Sequence, residues 1–337
     1  MSADQRFLPI LRPGLDASLS PPVFERIGIV GLGLIGGSIA LAARQAWPSG
    51  LVIGVDTNEV LEQAVARHVI DVAASDLTIV SEADLVILAA PVDANLALLA
   101  RLPDYLERPV IVTDTGSTKR AIVAAASALP ARLTFVGGHP LGGSTRSGIE
   151  AARADLFAGR PWLFTPERAV TDPGPAAGDP GAVAVDAAAM RLAARASREG
   201  ATGRAGEAMA RLFQFAEGLG AVPHTIDARE HDHLLAFISH LPQLAASALM
   251  QIVGDAAGED GLRLSGRGLQ DTTRLAGSPA GIWTEICASN ADEIRAAIDA
   301  LVGALQQLRD HVAERDTIER LFEAARNWRA VLVDKQA

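Results

Sequence analysis

The chain has 337 residues, which at roughly 100–200 residues per domain is the length of about two domains. Apolar residues make up 49% and charged residues 21%, a globular composition and not a disordered one. Thirty Lys and Arg stand against forty Asp and Glu, a net charge of −10, so a phosphate backbone would be repelled and nucleic acid is not an expected partner. No apolar run approaches the roughly 18 residues of a membrane span. The best stretch, 85–90, stops at Pro91. The lone Cys287 excludes an internal disulfide, and the N-terminus lacks the pattern of a signal peptide, so a cytoplasmic protein is expected.

Residues 1–24, with Pro9, Pro13, Pro21 and Pro22, read as a flexible tail. Short apolar strands follow at 26–30, 51–55, 85–89, 110–113 and 135–137. Helix-compatible stretches lie between them at 38–46, 59–67 and 119–128. Continuous apolar strands alternating with helices predict an α/β fold, a doubly wound sheet of Rossmann type covered on both faces. Residues 171–203 interrupt this rhythm with prolines and glycines, then an Ala/Arg-rich run, and read as an insertion. A helix at 207–217 and a last strand at 221–224 resume it. Beyond 227 only helices are expected, at 234–253, 282–307 and 316–331. The expected division is therefore a dinucleotide-binding domain over 25–226 and an all-helical domain over 227–337.

Gly31-Leu32-Gly33-Leu34-Ile35-Gly36 fits G-x-G-x-x-G directly after the first strand, and Asp56 ends the second strand twenty residues past Gly36. In that context the pattern predicts a dinucleotide site. Gly31 serves the tight turn, Gly33 close approach of the pyrophosphate, and Gly36 helix–strand packing. The N–H groups of Leu34 and Ile35 open the helix toward the phosphates. Asp56 suits the two ribose hydroxyls and repels a 2′-phosphate, which favours NAD over NADP. Its alternative role is to cap the helix beginning near Glu59.

Four further stretches occur in order: Asp114-Thr115-Gly116-Ser117-Thr118-Lys119, Gly137-Gly138-His139-Pro140-Leu141-Gly142-Gly143, Ser239-His240-Leu241-Pro242, and Gln270-Asp271-Thr272-Thr273-Arg274 followed by Trp283. With the glycine loop they resemble the prephenate/arogenate dehydrogenase family of tyrosine biosynthesis, over roughly 26–294. That resemblance implies an NAD-binding half, a helical half carrying substrate contacts and forming a homodimer, and oxidative decarboxylation of a cyclohexadienyl alcohol. Prephenate would give 4-hydroxyphenylpyruvate; arogenate would give tyrosine. Prephenate is the first expectation, with arogenate alone or both substrates as alternatives.

The resemblance assigns His139 to the substrate hydroxyl, and a neutral imidazole titrates in the range a general base needs. Ser117 would share that hydroxyl, or cap the helix after it. Pro91 would pass near the nicotinamide ribose. Arg274 matches the arginine that holds a substrate carboxylate, a task suited to a bidentate guanidinium. Asp271 would act across the dimer interface or form a surface ion pair, and Trp283 would wall the ring pocket or fill the core. His231, His233 and His240 suggest a metal site at first sight. His233 and His240 are two helical turns apart, about 10 Å, too far for one ion, so no metal is expected.

The sequence departs from the family pattern in three places. Gln243 stands where many members carry a histidine facing the substrate side chain, Thr145 where many carry a glutamate, and Gln270 where a basic residue is usual. The stretch after Val333 is too short for a regulatory module of the ACT type. A hydroxyacid dehydrogenase would place lysine and asparagine in the first long helix of its second half, and residues 226–250 hold neither. A non-catalytic dinucleotide sensor is the remaining alternative, and the presence of His139 and Arg274 argues against it.

Overall fold

The computed structural model describes residues 21–143, 146–166 and 203–334. The predicted tail up to residue 20, the insertion from 171 to 202 and Thr145 lie outside the described residues.

The strands are β1 (Arg26–Val30), β2 (Leu51–Val55), β3 (Val72–Ala74), β4 (Leu85–Leu88), β5 (Val110–Asp114), β6 (Leu133–Pro140), β7 (Pro161–Pro166) and β8 (Val222–Thr225). They form one sheet in the order β3-β2-β1-β4-β5-β6-β7-β8. The first six are parallel; β7 runs antiparallel to β6, and β8 runs parallel to β7. The α/β expectation thus meets an antiparallel extension at one edge. Helices α1 (Leu34–Ala46), α2 (Asn58–Ala66), α3 (Val92–Arg101), α4 (Arg120–Ala126) and α5 (Arg204–Gly218) belong to this part of the chain.

Both sheet faces are buried, which explains why β4, at the centre of the sheet, is apolar at every position. Leu85 and Ile87 of β4 point into one core layer, and Val86 and Leu88 into the other. The first layer is the more aromatic. Phe215 of α5 stacks on Trp47 at 5.4 Å and meets Phe24 edge-on at 5.8 Å. Trp162 of β7 joins them, stacked on Phe164.

After Thr225 the described chain is helical. Helix α6 (Ala228–Leu235) passes through a π-turn at Ala236–His240 into α7 (Leu241–Arg263). Then come α8 (Arg267–Thr273), a tight turn at Arg274–Gly277, α9 (Ala280–Ser289), α10 (Ala291–Asp310) and α11 (Arg315–Asp334). The single helix expected over 282–307 is two, because Asn290 leaves helical geometry and its buried amide is bonded elsewhere. Among the described residues, the helical run Ala228–Arg263 is long and apolar enough by length and composition alone to cross a membrane, and 22% of its most apolar 18 residues are buried.

Phe215→Ala should destabilise the fold by about 3–5 kcal/mol, since it deletes a ring with 1% exposure from the centre of this cluster. Denaturant unfolding checks it, with an unchanged slope and a lowered midpoint as the expected result.

Candidate active site

The glycine loop lies between β1 and α1, at the carboxyl edge of the sheet where strand order reverses between β2-β1 and β4. Gly31 has φ +97°, and a Cβ there would come within 2.7 Å of the Ala89 backbone. A Cβ on Gly36 would sit 1.9 Å from the Gly31 carbonyl oxygen. Gly33 has nothing within 4 Å of the place a Cβ would take, so the loop is open there for a ligand to approach. The first turn of α1, from Leu34 and Ile35 onward, contains no acidic side chain to occupy its free N–H groups.

A cleft of about 790 Å³ runs along this loop, lined by Gly31, Gly33, Asp56, Thr57, Ala90 and Pro91 among others. Asp56 accepts from the Leu32 N–H at 2.7 Å and from Thr57 N–H at 2.7 Å. The N-cap of α2 is Thr57, so Asp56 braces the glycine loop instead of capping that helix. Arg101 of α3 lines the same cleft, a proximity that spacing along the chain did not reveal. Its guanidinium donates to the Tyr105 hydroxyl at 3.0 Å. The turn at Pro91 is shaped by Asn95, which is fully buried, accepts from Ala90 N–H and donates to the Leu88 carbonyl. Glu285 of α9 accepts from Val92 N–H at 3.0 Å, holding the start of α3 from the helical side.

His139 ends β6 on the same carboxyl edge and is 8% exposed. Its Nδ1 lies 2.9 Å from Nε2 of His231, and Nδ1 of His231 lies 2.8 Å from Oδ1 of Asp232. Asp232 also accepts from the Lys119 N–H at 2.7 Å, and from the Arg120 N–H and Nε at 3.0 and 3.2 Å. Lys119, fully buried, pairs with Asp114. Asp114 in turn accepts from Gly116 N–H and Gly138 N–H, tying the turn that bears Ser117 to the strand that bears His139. Ser117 itself is half-buried in that turn. α4 starts after Lys119 and shows no side-chain cap bond, so its capping acceptor is Asp232 from the helical half.

Burial pushes His139 well below the ordinary histidine value, and His231, Lys119 and His240 nearby act in the same direction. Burial also lowers His231, against the opposing pull of Asp232. Asp232 stays low despite its own burial, because of the bonds it accepts. Lys119 is lowered by burial although Asp114 opposes this. His240, 1% exposed, is brought down to about 4 by desolvation. Its Nδ1 faces the Asn290 amide at 3.4 Å, its Nε2 has no bonding partner among the described residues, and its ring meets Trp283 edge-on at 6.2 Å.

The remaining predicted residues sit in the helical half. Gln243 is buried and bonded at both ends: Nε2 donates to the Leu275 carbonyl at 2.7 Å and Oε1 accepts from Ser278 at 3.1 Å. It therefore holds the turn that begins with Arg274. Arg274 and Asp271 are exposed in the single chain, and the two form no ion pair with each other among the described residues. The three histidines of the supposed metal pattern take separate partners, with His233 on Glu293 at 2.8 Å. Sequence reasoning missed Lys119, Asp114, Asp232 and Asn290 as builders of the site. A polar side chain at a strand end, before a helix, within a short helix or between two helices carries no local signal of burial.

Three histidines kept neutral by burial make the fold acid-sensitive. Each is depressed in the folded state, so the unfolded chain binds more protons below the unfolded value near 6.5. Stability should be fully present above about pH 6.5 and fall as pH drops below it, by at most about 1.4 kcal/mol per pH unit per histidine. Urea midpoints taken between pH 7.5 and 5 check this, and His240→Gln should flatten the slope.

Comparison with known proteins gives a consistent answer. The family model described as the nucleotide-binding domain of prephenate dehydrogenase matches residues 39–174, and that described as its dimerization domain matches 227–327. A prephenate dehydrogenase of Bacillus subtilis is 32% identical over 315 residues, covering 90% of this chain and 75% of the relative. Among solved structures, Synechocystis arogenate dehydrogenase matches with TM-score 0.70 and 29% identity, covering 91% of this chain and 99% of that one. Prephenate dehydrogenase from A. aeolicus, solved with hydroxyphenyl propionate and NAD+, matches with TM-score 0.75 and 26% identity, covering 93% and 99%. The chain belongs to the prephenate dehydrogenase family.

Proposed function

We propose that the protein is a cytoplasmic NAD-dependent dehydrogenase that converts prephenate to 4-hydroxyphenylpyruvate and carbon dioxide, with His139 as the base. The observation that carries this reading is a buried, neutral imidazole on the carboxyl edge that also holds the dinucleotide cleft. Gly31, Gly33, Leu34, Ile35, Gly36, Asp56 and Pro91 hold the cofactor. The open space at Gly33 and the first turn of α1, which carries no acidic side chain, fit a pyrophosphate. NAD held there would supply the acceptor for the hydride on the ring carbon that bears the hydroxyl. His139 takes the hydroxyl proton as the carbonyl forms, with Ser117 orienting that hydroxyl. Loss of carbon dioxide then sends its electron pair into the ring, and the oxygen recovers a proton as the ring becomes aromatic. Arg274 holds a substrate carboxylate, Trp283 flanks the ring, and Gln243 acts on the side-chain end by bracing the Arg274 turn.

Arogenate is the second reading, favoured by Gln243, which carries no charge where a keto acid and an amino acid differ. NADH formation by the purified protein with each substrate in turn decides between them. Turnover of prephenate is expected, and turnover of arogenate alone reverses the assignment. His139→Asn should lower kcat by about 10²–10⁴-fold with NAD affinity within a few-fold, and an active variant removes His139 as the base.

A second copy of the chain completes the helical half. No residue of α11 whose exposure is described is buried, although the helix carries Leu321, Phe322, Trp328, Val331 and Leu332. A surface of that kind is not stable in water alone, and the match of 227–327 to a domain described as a dimerization domain supports another copy as its occupant. Asp271 then acts across the interface. Light scattering should give twice the 35.1 kDa chain mass. Phe322→Glu with Trp328→Glu should yield monomers of reduced activity, and monomers in the parent protein overturn the assignment.

A further inference from the structure

His231 and Asp232 lie behind His139 with no part yet in the chemistry. Both are completely buried, at 0% exposure, far more than helix packing requires of such polar groups. Asp232 accepts from three N–H groups, those of Lys119 and Arg120 (backbone and Nε), and its Oδ1 faces Nδ1 of His231 at 2.8 Å. A carboxylate surrounded only by donors is held ionised and has no proton to give. Nδ1 of His231 must therefore carry the hydrogen in that bond. His231 is neutral, so its Nε2 is bare, and it lies 2.9 Å from Nδ1 of His139. Two bare nitrogens do not approach so closely. Nδ1 of His139 is the donor, and the other nitrogen of that neutral ring is left bare.

We infer that Asp232 and His231 form a positioning relay that fixes the tautomer of His139, presenting its Nε2 as the proton acceptor and sharing the positive charge while the proton is held there. The inference rests on the reading of His139 as the base. The ring nitrogen that carries hydrogen is set by the bond the other nitrogen makes, so a base without such a bond would spend part of its time in the wrong form.

The charges around the relay agree. Lys119, from the turn before α4, is offset by Asp114 at the end of β5. Arg120 bridges Asp232 to Asp292 at the start of α10, and Asp292 offsets it. His240, from the π-turn, and Asn290 face the relay as neutral groups. Asp232 is then the remaining anion that an imidazolium on His139 can answer, through one intervening ring. Such a charge lasts only until the phenolic oxygen takes the proton back, so the relay needs no outlet to solvent.

Two measurements test this. Nitrogen NMR of the histidine-labelled protein, with His139 and His231 assigned by single substitution, should find both rings neutral at pH 7.5 with hydrogen on Nδ1. Hydrogen on Nε2 of His231 or of His139 overturns the relay whether or not any substrate is turned over. In kinetics, His231→Leu should lower kcat about 100-fold or more, with prephenate KM and NAD affinity within about threefold of the parent. His231→Gln, whose amide oxygen can accept from Nδ1 of His139, should recover about tenfold of that loss. A leucine variant with parental kcat, or a glutamine variant no better than leucine, overturns the relay. An inactive His139→Asn beside a fully active His231→Leu refutes the relay alone, whereas an active His139→Asn refutes the base itself.

Discussion

One buried carboxylate joins the two halves of this chain. Asp232, on the first helix after the sheet, accepts the two N–H groups that open α4 and thereby caps a helix of the other half. A buried charge is costly on its own and tolerable only when its bonds are complete, so this contact has little freedom to slip. Arg120 then carries the connection outward to Asn290 and Asp292. Thr118 donates to Ser289 at 3.0 Å, and Glu285 takes the first N–H of α3. The turn of Ser117, the strand end of His139 and the wall at Pro91 are all fixed by groups from the helical half. The site is therefore built at a seam, and neither half assembles it alone.

The sheet was largely legible because burial on both faces writes itself as uninterrupted apolar runs. Strands β1 and β2 match their expected bounds and β4 and β5 begin where expected, while β6 starts two residues early and extends past its expected end because Gly137 and Gly138 continue the ladder with β7. In the sheet half, β3, β7 and α3 escaped. β3 is three residues long, and β7 opens at Pro161 and runs against its neighbour, as an edge arrangement permits. α3 follows Pro91 and mixes Asp93 and Asn95 with leucines, and Asn95 is buried for its bonds to the loop and not for hydrophobicity.

The site was legible in proportion to how local its parts are. The glycine loop and Asp56 are bound by a fixed spacing that any such crossover must keep, and the motif around His139 occupies one strand end. Asp232 and His231 were visible only as a histidine-rich stretch, because their meaning comes from a partner 92 residues away. Lys119 reads as the solvent-facing start of a helix, yet it is fully buried because Asp114 waits beneath it. The π-turn at Ala236–His240 also has no sequence signature. It lies between α6 and α7, and the Asn290 amide reaches both the Asp232 carbonyl before it and His240 at its end.

On the reading of His139 as the base, burying it this deeply would be a poor design for an enzyme that must discharge a proton to water at every cycle. Here the proton balance makes it a good one. The ring hydroxyl loses its proton as hydride departs, and the phenol regains one as carbon dioxide leaves, so nothing is released. A base below the usual histidine value stays neutral and ready across the working range, and desolvation strengthens each electrostatic contact around it. The difficulty that remains is the short-lived imidazolium in a dry site beside Lys119. A carboxylate placed one ring away answers that difficulty without lying close enough to take the proton for itself, which is the arrangement Asp232, His231 and His139 adopt.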